Sequence, residues 1–155
     1  MDRTDRRLLR ELQRNGRITN NELAEKVHLS PSPCLRRLRN LEKTGVIAGY
    51  TAIVDPEKFG LPINVFVMIR LDKHDEERVA VFERKVQEVD EIMGCYLMAG
   101  THDYLLQIVA ADLHDYERFV KHVLHKIPGI AAIESNIAFG TVKRAYVLPN
   151  PVLYD

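Results

Sequence analysis

Apolar residues recur three and four positions apart over the first third of the chain and at every second position over much of the rest. The pattern predicts three short helices followed by a mixed strand and helix region. Leu8, Leu9 and Leu12 give a helix from about Asp5 to Arg14, with Asp2 or Thr4 as its cap and Gly16 at its end. Thr19 and Glu22 have the spacing of a capping box, in which each side chain satisfies an orphan amide of the other residue. Leu23, Ala24 and Val27 continue that second helix, which is over by His28. Ser30 caps a third helix whose first turn holds Pro31 and Pro33, where backbone amides have no intrahelical partner. Cys34, Leu35, Leu38 and Leu41 share one face of it, and it ends near Thr44-Gly45.

Beyond Gly49 the period changes to two. Tyr50–Val54 reads as a strand and Asp55 to Pro62 as a linking loop. Ile63–Leu71 is a strand rich in β-branched residues, followed by a helix from about Asp75 to Val89 with Val79, Phe82, Val86 and Val89 inward. Strands follow at Ile92–Met98 and Tyr104–Ala110, broken by Ala99–Asp103. Asp112 caps a helix bearing Tyr116, Phe119, Val120, Val123, Leu124 and Ile127. Pro128-Gly129 stops it, and Ile130–Val142 supplies the last strand. The order βαββαβ contains a weak internal repeat and predicts a ferredoxin-like sheet with helices on one face. Phe66, Met68, Tyr96, Met98 and Leu106 share a parity that assigns them to the other face. Self-association is the economical way to cover it. The expected class is therefore α+β. A three-helix domain occupies 1–50, a linking strand and hinge 51–62, and a ferredoxin-like, self-associating domain 63–155.

Charge sharpens this division. The 155 residues carry no net charge, but residues 1–50 hold 11 Lys/Arg against 6 Asp/Glu, and the remainder holds 11 against 16. A basic head on an acidic body suits a chain with one nucleic-acid-facing domain. Cys34 and Cys95 stand far apart, with neither a disulfide framework nor zinc-ligand spacing. The opening Met1–Arg7 is too charged for the apolar core of a signal peptide, and the longest apolar run, Val65–Ile69, is far short of the ~18 residues of a membrane helix. The expected location is cytoplasmic, with no membrane partner.

Two short helices joined by a tight turn, the second bearing an exposed basic face, form a helix-turn-helix. At about 100° per residue, Arg36, Asn40 and Lys43 point away from the apolar face, with Arg37 and Arg39 on its flanks. Arginine can make a bidentate contact to guanine and asparagine to adenine, and flanking arginines suit phosphates. A solvated basic face on an ordinary bundle has the same composition.

The stretch Leu29-Ser30-Pro31-Ser32-Pro33-Cys34-Leu35-Arg36-Arg37-Leu38-Arg39 resembles the recognition-helix signature of the leucine-responsive/asparagine regulatory (Lrp/AsnC) family. So do the opening Asp2 to Leu9, the stretch Asn15 to Asn20, and Gly45-Val46-Ile47-Ala48-Gly49-Tyr50. The resemblance covers nearly the whole chain. It implies a transcriptional regulator whose residues 1–50 form a winged helix-turn-helix domain on a double-stranded operator, with Ser30, Ser32, Pro33, Arg36, Arg37, Arg39 and Asn40 at the DNA, and whose residues 63–155 form an effector-binding and oligomerisation domain. It also implies homodimers that assemble into octamers, as a tetramer of dimers. Gly100-Thr101-His102-Asp103-Tyr104 matches the family's Gly-x-x-Asp-Tyr pattern at an effector pocket, and is otherwise an ordinary hairpin turn. By the same resemblance Leu97, Leu113, Asn136, Ile137 and Ala138 fall at positions linked to effector response. Asp103 is the expected partner of an amino acid's ammonium. The three aliphatic side chains imply a leucine- or methionine-like effector.

Other chemistry is weaker. His102 and Asp103 have no third group to orient the histidine, so no catalytic residue and no enzyme is expected. His114, Arg118, Lys121, His122 and His125 form a solvated face. His122 and His125 have metal-ligand spacing but no completing ligand, so neither a metal nor a cofactor is expected. Cys34 reads as a small core residue. Two rival functions stand beside the regulator. One is an amino-acid-sensing module acting on a protein partner, and the other is a DNA-architectural protein without an effector.

Overall fold

The computed structural model describes residues 1–149; the end of the expected 63–155 domain, residues 150–155, lies outside them. The described chain forms two compact units, one from Met1–Ile53 together with 142–149, the other from Val54–Thr141.

The first unit is built on helices α1 (Arg3–Arg14), α2 (Asn20–Val27) and α3 (Pro31–Lys43). Asp2 is the cap of α1: its carboxylate accepts the Asp5 N–H at 2.8 Å, and Asp5 accepts the Asp2 N–H in return at 2.9 Å. That reciprocal pair starts the helix two residues earlier than the leucine spacing implies. Thr19 and Glu22 form the capping box of α2. His28 ends α2 in the left-handed conformation, φ 58°, and Ser30 stands at the start of α3 without a side-chain cap bond. Leu8, Leu23, Ala24, Val27, Cys34 and Leu41 fill the core, with Leu9, Leu12, Ile18, Leu29, Leu38 and Ile47 packed around it. Leu35 lies at the margin of that face and is half-buried. After α3 the Ile47 N–H returns to the Leu41 carbonyl at 3.1 Å, and the Tyr50 hydroxyl donates to Glu42 at 2.8 Å. Leu148 N–H donates to Gln13 Oε1 at 2.8 Å, which brings the segment 142–149 onto α1.

No strand forms at Tyr50–Val54, contrary to the alternation there. A strand needs a ladder partner, and this segment has none among the described residues. A short helix, α4 (Pro56–Phe59), takes part of the expected loop. Asp55 accepts amides of Glu57 and Lys58, and Gly60 ends the helix at φ 94°.

The second unit holds β1 (Ile63–Leu71), α5 (Glu76–Gln87), β2 (Ile92–Leu97), β3 (Tyr104–Ala110), α6 (Leu113–His122), a 3₁₀ turn (Leu124–Lys126) and β4 (Ile130–Ala138). The antiparallel sheet has the order β2-β3-β1-β4, the ferredoxin-like arrangement. Val65, Val67, Ile69, Tyr104, Leu106, Ile108, Phe82, Val86, Phe119 and Leu124 make its core. Leu106, expected on the opposite face, is instead fully buried here. It pairs with Val67 and so shares that residue's face; the polar turn before β3 shifts the parity by one, and Leu105 takes the outer position. Phe66, Met68 and Tyr96 do occupy the outer face, and Met98 falls just past β2. β4 stops at Ala138 rather than Val142 because its partner Asn64 lies at the start of β1, leaving no ladder beyond. The last helix breaks at Val123 instead of continuing to Ile127.

Candidate nucleic-acid interface and effector loop

Arg36, Arg39 and Asn40 lie on the exposed side of α3, and their side chains make no hydrogen bond or ion pair among the described residues. Ser30 and Ser32 are exposed at its tip, and Pro33 is half-buried beside them. The Ser30 hydroxyl makes no bond to its own helix and is free to donate elsewhere.

Arg37, expected among the phosphate contacts, is turned the other way. Its Nη1 lies 2.7 Å from Asp2 Oδ2 and 2.8 Å from Asp5 Oδ1. At about 100° per residue it sits next to Leu41, at the border of the apolar face, where α1 is within reach. The Asp5 hydrogen bond, followed by that of Asp2, raises the guanidinium's pKa further. Asp2 is held below the usual carboxylate range by the Asp5 amide first and Arg37 second. Arg37 thus clamps α3 to the cap of α1.

Asn20 is a residue that reading the chain in one dimension does not select. Its Nδ2 donates to the Pro31 carbonyl at 3.0 Å, joining the first turn of α2 to that of α3. Its buried Oδ1 has no partner among the described residues. The only signal is its place after a helix cap, which does not reveal a bond to a residue eleven positions away.

The turn between β2 and β3 is stitched to its surroundings through Asp103. The Asp103 N–H donates to the Ile69 carbonyl, and its carbonyl accepts the Met98 N–H, both at 2.8 Å. Its carboxylate accepts the Leu71 N–H at 2.7 Å, and the second oxygen lies 2.7 Å from His74 Nε2. The Leu71 amide is the largest of the influences holding this carboxyl below its ordinary pKa; burial opposes it, and His74 and Arg70 reinforce it. Both oxygens have partners within the chain, so Asp103 anchors the turn. Gly100 and Thr101 are exposed above it, and Gly100 has φ 151°. His102 is half-buried, with Nδ1 3.2 Å from the Thr101 hydroxyl and Nε2 3.5 Å from Glu134.

Tyr104, also among the expected effector residues, is 3% exposed and its side chain belongs to the core. Its ring centroid is 4.6 Å from that of Phe82, and its hydroxyl donates to Glu83 at 2.8 Å. Burial first, then Glu83, raises its pKa strongly.

The remaining expected effector residues fall into two groups. Leu97 pairs with Tyr104, which pairs with Ile69, so Leu97 and the turn 98–103 share one end of the sheet. Asn136, Ile137 and Ala138 pair with Phe66, Val65 and Asn64 toward the other end, near which Leu113 follows β3. Three to five residues of β1 separate the groups, roughly 10–17 Å of strand. Leu97, Leu113 and Ile137 are 76%, 55% and 42% exposed. A single copy holds the two groups toward opposite ends of the sheet and does not bring them together. Among the described residues no cluster of three His, Cys, Asp or Glu side chains is placed to hold a metal ion. No described helix is long and apolar enough to cross a membrane.

Residues 1–48 match a family model described as winged helix-turn-helix DNA-binding, and residues 64–148 match the Lrp/AsnC ligand binding domain. The chain is 39% identical over 145 residues to the leucine-responsive regulatory protein of Escherichia coli, covering 94% of this chain and 88% of that one. It is 37% identical over 149 residues to the E. coli DNA-binding transcriptional activator DecR, covering 96% and 98%. A transcriptional regulator of Neisseria meningitidis, solved as a complex with L-methionine, is 36% identical with a TM-score of 0.92 and covers 96% of each chain.

Proposed function

The chain belongs to the Lrp/AsnC family of DNA-binding transcriptional regulators, and from that premise we propose how its two units read an operator and answer an effector. It is a regulator and not an enzyme. The observation that carries the reading half is the exposed, unengaged row of Arg36, Arg39 and Asn40 on α3. Arg36 and Asn40 enter a major groove and meet base edges, while Arg39, Ser30 and Ser32 hold phosphates. Pro33 stiffens the helix tip that approaches the backbone. Two copies present two recognition helices to a pseudo-palindromic site, and a reader of this kind works in the cytoplasm, where the DNA is.

The effector half rests on the two separated half-sites. A second copy brings Leu113, Asn136, Ile137 and Ala138 of one chain against Leu97 and the turn 100–102 of another, completing a pocket neither holds alone. The half-buried outer face with Phe66 and Met68 supplies the dimer interface, and the completed pockets link dimers into an octamer. The ligand is an apolar amino acid. The glycine-containing turn offers amides to its carboxylate, and the aliphatic residues take its side chain. The methionine complex of the Neisseria relative supports that choice. Such a ligand shifts assembly only through its different affinity for the joined and separated states.

Calorimetry of the full chain against the twenty amino acids, with operator titrations and light scattering in parallel, tests this. Binding of leucine or methionine with a change of mass or operator affinity is expected. A monomer near 17.8 kDa at micromolar concentration, or no amino acid bound, would overturn the effector half.

A further inference from the structure

The α1 helix carries Arg3, Arg6, Arg7, Arg10 and Arg14, all exposed. At about 100° per residue they occupy an arc of about 100° on the side away from Leu8 and Leu12. The acidic residues that could neutralise them are already engaged. Asp2 and Asp5 hold Arg37, and Glu11 meets Arg14 at 3.0 Å and Lys26 at 3.4 Å. Arg3, Arg6, Arg7 and Arg10 have no carboxylate within ion-pair distance among the described residues. Like charges three and four apart on a helix repel, and Arg3 and Arg6 also sit in the first turn, against the helix dipole. Within the described chain nothing offsets this cost. Between the side chains lie two adjoining open depressions of about 340 and 260 Å³, lined by Arg3, Arg6, Arg7 and Arg10 and by Arg7, Arg10, Glu11, Arg14 and Lys26.

We infer that this arginine row is a second phosphate-binding surface, holding duplex backbone that flanks the half-site read by α3. The inference rests on the DNA-binding reading above and adds a surface to it. The row offers guanidinium forks and no apolar anchor, which fits a phosphate chain and not the apolar core of a protein interface. Its direction sets the location. The arginines lie opposite the face that α1 buries through Leu8, and Arg36 and Asn40 lie opposite the face that α3 buries through Cys34 and Leu41, so the row belongs to a different helix surface from the base-reading face.

The test uses the full chain and its Arg6→Gln/Arg7→Gln/Arg10→Gln variant. Glutamine keeps the helix propensity, and the relief of repulsion predicts a melting temperature no lower than wild type. Arg7→Gln/Arg10→Gln is carried alongside in case the triple variant is poorly folded. The probes are a duplex selected by the wild-type chain from a random pool, at minimal length and with long flanks, and a long duplex of unrelated sequence. Affinities are measured from 50 to 200 mM salt. On both long duplexes the slope of log K against log salt falls by roughly 2–3 for the triple variant and 1–2 for the double, about 0.9 for each phosphate no longer neutralised. On the minimal duplex the slopes converge, and the preference for selected over unrelated sequence is unchanged. Equal slopes for variant and wild type on the long duplexes overturn the inference, as does an equal loss on the minimal one or a fall in preference. If wild type selects no sequence at all, the base-reading proposal fails. The arginine row is then decided by the unrelated duplex alone.

Discussion

His74 Nε2 lies 2.7 Å from Asp103 Oδ1, and the other oxygen of that carboxylate accepts the Leu71 N–H, so one side chain fastens the β2–β3 turn to the end of β1 and the start of the β1–α5 connection. Asp103→Asn keeps the shape but loses the charge that makes the Leu71 bond strong. Its folded pKa is depressed, so its contribution is complete above the unfolded carboxylate's value near 4 and is lost as pH falls through the lower folded value. Thermal melts should show Asp103→Asn less stable than wild type at pH 7, with the gap closing below about pH 4. A gap that widens in acid contradicts the anchor.

The hydroxyl of Tyr104 faces Glu83 and the ring faces Phe82, away from the turn. Tyr104→Phe should cost about 0.5–1.5 kcal/mol of stability while leaving amino-acid affinity unchanged. A selective loss of affinity measured by calorimetry would return Tyr104 to the pocket.

Arg36→Ala should cost roughly 1–3 kcal/mol at a selected operator and much less on unrelated DNA. Equal losses on both duplexes in a titration would remove Arg36 from base reading.

Arg37→Ala acts differently, because its partners are Asp2 and Asp5. The melting temperature of the head should fall, and by less in high salt, where such pairs are screened. A stability unchanged at low salt, with a flatter salt slope for DNA, would instead make Arg37 a phosphate ligand.

His28 holds a left-handed conformation that glycine adopts without a steric penalty, and it has no side-chain bond among the described residues. His28→Gly should therefore raise stability by up to about 1 kcal/mol in denaturant titration. A clear loss would mean the imidazole packs more productively than its exposure implies.

Local signals are the legible ones. The Thr19–Glu22 box, the leucine spacing and the period-two strands depend on neighbours within a few positions, and the elements they mark are present except at Tyr50–Val54, where the alternation finds no ladder partner among the described residues. Leu106 departs from its expected face because parity does not carry across a polar turn whose path the alternation leaves unspecified. Asp103 and Arg37 are legible as charged residues in a suggestive motif, yet their partners lie up to 32 and 35 positions away. The two groups of expected effector residues cannot be separated from sequence either, since antiparallel pairing alone decides which end of the sheet a residue reaches.

The thiols of Cys34 and Cys95 differ in a way that an experimenter can use. Cys34 is sealed in the helical core, whereas Cys95 is exposed on β2, one of the two edge strands of the sheet. Partial burial and the charge of Glu83 still raise the Cys95 pKa, so alkylation is slow at neutral pH and faster in alkaline buffer. A maleimide dye should thus label the native chain once, two positions from Leu97, without prior mutagenesis, and its emission would report directly on what approaches that edge.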